Sequence, residues 1–498
     1  MSAESQLKTK EAEFAPEEDL LTQIVSATRQ TEPDRAQDLL RTLTDQALKG
    51  TVSYDRNLTV TLNNAIAELD RKISRQLAAI MQSPEFAKLE GSWRGLNYLV
   101  KNSETSVNLK IRVLNASKRD VSRDLAKAVE FDQSRLFKSI YEDEFGTPGG
   151  EPFGLLIGDY YVRHQRAADH PTDDIGALKA IAAVAAAAFC PFVTSCQPAL
   201  FGLDSFADFA GDFDLARSFD GHEFARWRSL READDARFVG IALPRILLRE
   251  PYRFDPRRID GFRYAESAGG DAENYLWGNA AFAFASVAMR AFDHYGWFAD
   301  LRGAPDDLSG GGLVSGLPAH AFESLGKSGP FNAPLDVYLS DHQEKQLSEL
   351  GIVPLSRVGY LEACVFYSAQ SIHLPRSYDR PGATANARLS AMMQYVLCAS
   401  RFAHYVKTIG RDRIGTFATA TDFEEHLRQW LRSYCVANDD ASNAVKVRYP
   451  LRDADVQVRD VAGRPGTFGC ILHLKPHFQL DEIQASFRLV TELVGTPA

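Results

Sequence analysis

Ligand chemistry in this 498-residue chain could begin at two glycine-rich loops and one small His/Asp cluster. A phosphate loop needs G-x-x-x-x-G-K-[ST] between a strand and a helix, so that main-chain N–H groups and a lysine meet the phosphates. The stretch Phe145–Tyr160, F-G-T-P-G-G-E-P-F-G-L-L-I-G-D-Y, has the glycines, but no lysine follows them and the loop precedes its strand. Ala321–Ser328, A-F-E-S-L-G-K-S, comes nearer. Gly329-Pro330 follow at once, however, and forbid the helix whose N-terminus would hold a phosphate. Both loops read as structural. His164 and His170 lie among Asp169, Asp173 and Asp174. Their spacing matches neither a two-histidine helix motif nor an EF-hand loop, and it reads as a solvated βα loop with helix-capping aspartates. An enzyme would use the loop after Ile157, with Asp159 and His164 as acid and base. There is no G-x-S-x-G elbow, although a triad drawn from distant residues converges only in three dimensions. Nothing compels an enzyme.

The elements around the first loop are an α/β core. Gly146, Gly149, Gly150 and Gly154, with Pro148 and Pro152, make a rigid turn in which glycine supplies positive φ. A strand Leu155–Ile157 follows and stops at Gly158-Asp159. Asp173-Asp174 opens a helix through Ala177–Phe189, Pro191 ends it, and Phe192-Val193 begins a second strand, which is a βαβ unit. Alternating Val107, Leu109, Ile111 and Val113 mark a half-buried strand, Val107–Leu114. Phe238–Leu243, Leu335–Leu339 and Glu362–Phe366 read as further strands. Tyr275–Trp297 reads as a helix, apolar all round over Ala280–Met289 except Ser286 and therefore buried. Pro375–Ala387 reads as a domain linker before a long helix, Arg388–Ile409, and a second, Thr421–Val436. A hairpin of Val456–Arg459 and Thr467–Leu474 and a last strand, Ser486–Leu493, end the chain.

Composition narrows the class. An apolar content of 45% and a charged content of 24% are ordinary for a soluble globular protein, and the length implies two or three domains. The net charge of −10 argues against general nucleic-acid binding. No signal peptide opens the chain, and no apolar run reaches the ~20 residues of a membrane span, so membrane insertion is not expected. Six scattered cysteines without a C-x-x-C pair read as free thiols of a reducing compartment, which makes the expected location cytoplasmic.

The first eighty residues offer helical faces without a strand-rich core. A helix Pro16–Arg29 presents Leu20, Leu21, Ile24 and Val25 on one face, and a second covers Asp34–Leu48. A third, over Leu58–Gln82, carries Leu62, Ile66, Leu69, Ile73, Leu77 and Ile80 in a narrow seam of the kind that pairs with another helix. A strand as near a free terminus as Ser486–Leu493 can leave its own sheet and add to a neighbour's edge.

The motifs as a set resemble type VI secretion large sheath subunits, the TssC/VipB family, from about Ala15 onward. The carriers include Ser92-Trp93-Arg94-Gly95-Leu96, Glu144–Tyr160, Leu243–Arg249, Tyr275–Ala280, Leu347–Gly351, Glu362–Ser371, Gln394–Tyr405 and Pro476–Leu480. Tyr161-Val162 and His373-Leu374 depart from the family's usual residues. The resemblance implies a mixed α/β (α+β) contractile tail-sheath fold with a central parallel or mixed sheet. It divides the chain into a helical arm (1–60), an N-terminal sheath domain (61–375) and a C-terminal domain (385–498) with an exchanged terminal strand. It implies no cofactor, no metal and no catalysis. The implied partners are a smaller sheath subunit (TssB/VipA type), further copies of the chain, an inner tube of the Hcp type, a baseplate and the AAA+ unfoldase ClpV. Leu20, Leu21, Ile24 and Val25 would be read by the unfoldase, and Leu62, Ile66, Leu69 and Ile73 would meet the small subunit. Ser486, Phe487, Arg488, Leu489 and Val490 would form the exchanged strand. A sheath of a phage-like particle is the nearest alternative; one-shot particles need no recycling helix.

Overall fold

A computed structural model describes residues 38, 41–42, 58–147, 149–210, 213–255, 257, 262, 264–266, 272–304, 310–318, 333–358, 363–412, 419–438, 441–460, 468–477 and 487–493. The chain divides into two compact units, 1–82 with 252–267, and 83–251 with 268–498. In the first unit, α1 (Leu58–Met81) is a helix of 24 residues, and the Tyr264 hydroxyl lies 3.7 Å from Met81 Sδ.

The second unit is built on a six-stranded sheet with spatial order β1-β2-β3-β7-β8-β6. Its parallel half is β1 (Leu156–Val162), β2 (Phe192–Cys196), β3 (Val239–Leu243) and β7 (Val353–Arg357), in register through Leu156↔Phe192, Phe192↔Val239 and Ala242↔Val353. Antiparallel β8 (Cys364–Phe366) and β6 (Leu313–Val314) complete it. A two-stranded ribbon, β4 (Ile246–Arg249) and β5 (Leu276–Gly278), stands beside it.

Strand alternation divides the apolar residues between two helical layers. Phe192, Cys196, Val239, Ile241 and Leu243 face a layer that includes α4 (Asp174–Ala188), α5 (Ala225–Glu232) and α7 (Asp341–Glu349). Val193, Ala242, Val353 and Leu355 face α6 (Ala280–Tyr295) and α2 (Pro84–Lys101). All five residues of β2 are buried, as a central parallel strand covered on both faces requires. α4 begins where the Asp173 carboxylate accepts from Gly176 N at 3.2 Å, and ends at Phe189, held at φ 50°. α3 (Lys118–Lys127) packs on α4, and a helical run with a π turn, Arg135–Phe137 through Asp143–Phe145, leads to the glycine loop.

The C-terminal part has its own core. α8 (Pro381–Ser390) leads into α9 (Met393–Asp412), which packs with α10 (Ala420–Arg432) on an antiparallel sheet of order β11-β10-β9. A short helix, α11 (Asn443–Arg448), precedes β9 (Leu451–Asp460), followed by β10 (Phe468–Pro476) and β11 (Phe487–Leu493). Phe402, Val406, Leu427, Leu431, Val456 and Leu472 form this core, and Trp297 stacks on Phe402 at 4.3 Å.

Several expectations need correction. β1 runs through Gly158-Asp159 to Val162, because a register shift between Ile157 and Tyr161 absorbs the irregularity. The helix expected from Tyr275 starts at Ala280, since Asn279 caps it and Leu276–Gly278 pairs with β4. Leu335–Leu339 is no strand; Leu335 makes a lone bridge to Ile246. The expected linker 375–387 is in part α8, and the long helix is two helices broken at Ala391-Met392. Among the described residues Val107–Leu114 pairs with no strand. The helices 16–29 and 34–48 lie outside the described residues, save helical Asp38, Arg41 and Thr42, as do Ala321–Gly329 and the hairpin turn at 461–467.

The glycine loop works by space more than by dihedral angle. Of its glycines only Gly149 has positive φ, 82°, and a Cβ there would meet nothing within 4 Å. A Cβ on Gly150 would overlap the main-chain carbonyl of Glu144. Gly149→Ala is therefore expected to cost about 1 kcal/mol, the strain of a left-handed alanine. Gly150→Ala should cost about 2–4 kcal/mol, because backbone has to move. Urea unfolding of both variants checks the order, and equal costs would refute it.

Candidate functional site

The motif residues converge on the sheet face that carries α2 and α6. Asn279 Oδ1 accepts from Ala281 N at 2.8 Å and so caps α6, while its Nδ2 donates to the β1 carbonyls of Gly158 (3.2 Å) and Tyr160 (3.1 Å). Those carbonyls also accept from Thr194 Oγ1 of β2, at 2.9 and 2.8 Å. The Ser92 hydroxyl of α2 donates to the Asp159 carboxylate. Burial pushes the Asp159 carboxyl above its usual range, and the bonds from Ser92 and Asn279 pull it back. Gly95, one turn after Ser92, lets α2 approach until a Cβ there would overlap the Phe282 ring. Arg249 and Arg94 both reach Glu90 Oε1, at 2.9 and 2.6 Å, tying the Leu243–Arg249 motif to α2. Arg245 holds Asp336 at 2.6 Å and Glu273 bidentately at 2.7 and 3.0 Å.

Asp159 and His164 do not meet. The His164 ring lies against Phe224 at 4.4 Å, in the opposite layer, with Nδ1 2.5 Å from the Ala199 carbonyl. Burial lowers its pKa. Each group has its own structural partners, so the acid–base pair is not assembled.

The His/Asp cluster is a buried ionic knot. Asp173 is the capping aspartate expected, but Asp174 is buried rather than solvated. Its Oδ2 accepts from Lys118 Nζ (3.0 Å), His170 Nε2 (2.6 Å) and Arg163 N (2.9 Å). Burial lowers the Lys118 pKa, and Asp174 counters it. Among the described residues no group of three or more His, Cys, Asp or Glu side chains could hold a metal ion. The described cysteines are free thiols, all buried but Cys435.

A third polar centre, unforeseen in the sequence, joins the two halves of the second unit. Lys407 Nζ of α9 lies 4.8 Å from the Tyr141 ring, 5.2 Å from Phe145 and 4.8 Å from Phe189, and donates to the Tyr141 hydroxyl at 3.2 Å. Ring faces attract the ammonium. Burial nonetheless pushes its pKa down to about 8. One turn earlier, the buried His404 donates from Nε2 to the Ala188 carbonyl at 2.9 Å, and its Nδ1 has no hydrogen-bond partner among the described residues. Burial first, then the nearby Arg401 and Lys407, push His404 down to about 3. A lysine among aromatics distant in sequence leaves no linear motif, which is why the cage escapes sequence reading.

The surfaces expected to meet partners fall out as follows. On α1, Ile66, Leu69 and Ile73 are 54%, 58% and 49% exposed, and Leu62 is half-buried. β11 pairs with β10 of its own chain from Leu474↔Phe487 to Phe468↔Leu493, which includes Phe487, Arg488, Leu489 and Val490; Ser486 lies outside the described residues. Leu20, Leu21, Ile24 and Val25 also lie outside them. No helix among the described residues is long and apolar enough to cross a membrane.

The α/β sheet domain and the smaller helix-and-hairpin domain after it correspond to the two domains of a contractile tail-sheath protein. Residues 63–373 match the family model "EvpB/VC_A0108, tail sheath N-terminal domain", and residues 382–493 match "EvpB/VC_A0108, tail sheath gpW/gp25-like domain". The chain is 37% identical over 497 residues to the type VI secretion system sheath protein TssC1 of Pseudomonas aeruginosa, covering 99% of this chain and 97% of that protein. The chain belongs to the TssC/VipB family of type VI secretion sheath proteins, and it is a structural subunit of a contractile sheath.

The buried imidazole gives a pH prediction. His404 is neutral in the folded chain and binds a proton near pH 6.5 when unfolded, so its stabilisation is complete above that pH and is lost as pH falls. Between pH 7 and pH 5 it should lose about 2 kcal/mol. His404→Gln, which keeps an N–H for the Ala188 carbonyl, should remove that part of the acid slope in urea unfolding. An unchanged slope would show that His404 does not titrate on unfolding.

Proposed function

We propose that this chain is the large subunit of a two-component sheath that assembles in the cytoplasm around an inner tube, is seated on a baseplate, and acts mechanically, without catalysis or cofactor. The observation that carries the reading is the match to both sheath domains along nearly the whole chain. The exposed seam of α1 supports a helical partner, since apolar residues at 3–4-residue steps gain most by burying against another helix. On this reading Leu62, Ile66, Leu69 and Ile73 contact the small subunit. Contraction is a passage between two packings of one lattice that differ in free energy, and it propels the tube and its effectors into a target cell. The working division is an arm over 1–60, a domain over 61–375 and a second over 385–498. The reading as a phage-like particle keeps the fold but leaves the N-terminal helix without a task. The Asp159/His164 enzyme finds no support in the geometry.

Co-expression with the small sheath subunit and negative-stain electron microscopy should give long hollow tubules; small particles only, with a folded partner present, would overturn the two-component reading. Deleting Ser486–Ala498 should abolish tubules if the last strand is exchanged between neighbours, and normal tubules would remove that role. Leu21→Asp with Ile24→Asp should leave assembly intact and stop disassembly by the AAA+ unfoldase ClpV. Unaltered disassembly of this variant would assign the recognition elsewhere.

A further inference from the structure

We propose that the second half of α9 is an acid-released latch: a proton on His404 lifts it off the N-terminal domain while both cores stay folded. The His404 ring is buried, with the Phe145 ring 5.6 Å away and the Ala188 carbonyl, at the end of α4, 2.9 Å from Nε2. A nitrogen facing a carbonyl must carry the hydrogen, so the ring is the neutral tautomer with a bare Nδ1. A second proton would go to Nδ1, which has no hydrogen-bond partner among the described residues. The result would be a buried charge without an acceptor.

The groups around the ring oppose that proton. On α9 itself Arg401 and Lys407 lie three residues before and three after. Arg401 is held by the rings of Phe292, at 5.3 Å, and Tyr405, at 4.6 Å, and Lys407 by its aromatic cage. Among the described residues neither is paired with a carboxylate. One turn further on, Arg411 is paired with Asp412 and donates to the Thr147 carbonyl at 3.3 Å. From the 135–145 run the facing group is the Tyr141 hydroxyl, bonded to Lys407; Glu142 and Asp143 are exposed, and Glu144 holds Arg112. Past the end of α4 stands the buried Cys190 thiol, whose pKa burial raises, so it carries no charge. The turn Asp234–Phe238 also packs on α9; there Arg237 pairs with Asp234, and among the described residues neither they nor Asp235 hydrogen-bond to α9. Burial first, then the two cations, therefore hold the latched ring neutral, with its pKa down to about 3.

The joint also favours a second arrangement. Phe189, whose ring meets Lys407, is the one non-glycine among the described residues at positive φ, 50°. A left-handed phenylalanine is strained, and lifting α9 removes the contacts that hold it so. Release starts beyond the first turn of α9, because Met393 and Leu397 are buried in the sheet's core and Met393 N donates to the Ala369 carbonyl at 2.8 Å. The C-terminal core is thus tied to the sheet at neutral pH and loosened from it in acid. A ring that stays neutral when latched and titrates near 6.5 when released makes release about 25-fold more favourable at pH 5 than at pH 7.

Hydrogen–deuterium exchange on the full chain at pH 7 and pH 5, each amide corrected for its intrinsic rate, tests the latch. Phe189 N and Cys190 N, bonded to the Ala186 and Ala185 carbonyls, and Gly146 N, bonded to that of Glu142, should lose protection about 25-fold. The amides of β2 should keep theirs. Parallel loss at β2 would mean global unfolding and overturn the latch, and so would unchanged protection at all these amides. His404→Gln keeps a donor for the Ala188 carbonyl but takes up no proton, so it should abolish the pH dependence. A dependence that persists in this variant would refute His404 as the trigger. If the variant does not fold, the slope in the unmodified chain decides: release with one proton taken up approaches about tenfold per pH unit below pH 6. A flat profile, or one near a hundredfold per unit, would refute the latch.

Discussion

The second unit depends on how closely α6 lies against the β1–β2 edge of the sheet. One asparagine fastens its first turn: the amide of Asn279 caps the helix with its oxygen and grips two carbonyls of β1 with its nitrogen. A fully buried amide needs all its hydrogen bonds met, so its position is well determined. The run Ala280–Ala288 that follows is buried for two and a half turns, because a helix apolar on every face apart from Ser286 fits only between a sheet and another layer. α2 closes that layer through Gly95 and the Ser92–Asp159 bond. Residues that look like a collection of short motifs are one joint.

The second fastening is of another kind. α9 belongs to the C-terminal core, but Lys407 and His404 are inserted into the aromatic face of the N-terminal domain. A caged ammonium with a single hydrogen bond gains from several rings at once and loses all of them if the helix shifts by one turn. Such a contact favours two well-separated arrangements over a gradual slide.

Sequence reading was most successful where periodicity and local capping agree. The βαβ unit is legible because Asp173 caps, Pro191 breaks, and the strands on either side are uniformly apolar. It failed where a residue's role is decided by something distant. Gly150 was credited with a dihedral angle it does not use, because only the fold reveals the carbonyl of Glu144 beside it. Asp174, expected in solvent, is buried by Lys118 from a helix more than fifty residues earlier. Leu276–Gly278 reads as the first turn of a helix until its β4 partner is known. Family membership was legible for the opposite reason, since it rests on the order of many local motifs and needs no contact map.

The pairing of β10 with β11 has a mechanical consequence. Within one chain a load carried from the end of β11 to the rest of the domain enters the pair at its Phe468↔Leu493 end. The strands are antiparallel and joined at the other end, so such a load peels the bonds apart one after another, each yielding at low force. A strand gripped at its opposite ends by two different bodies is instead loaded along its length, and all its bonds resist together. The seven residue pairs that make a weak zipper inside one subunit would make a strong tie if they joined two.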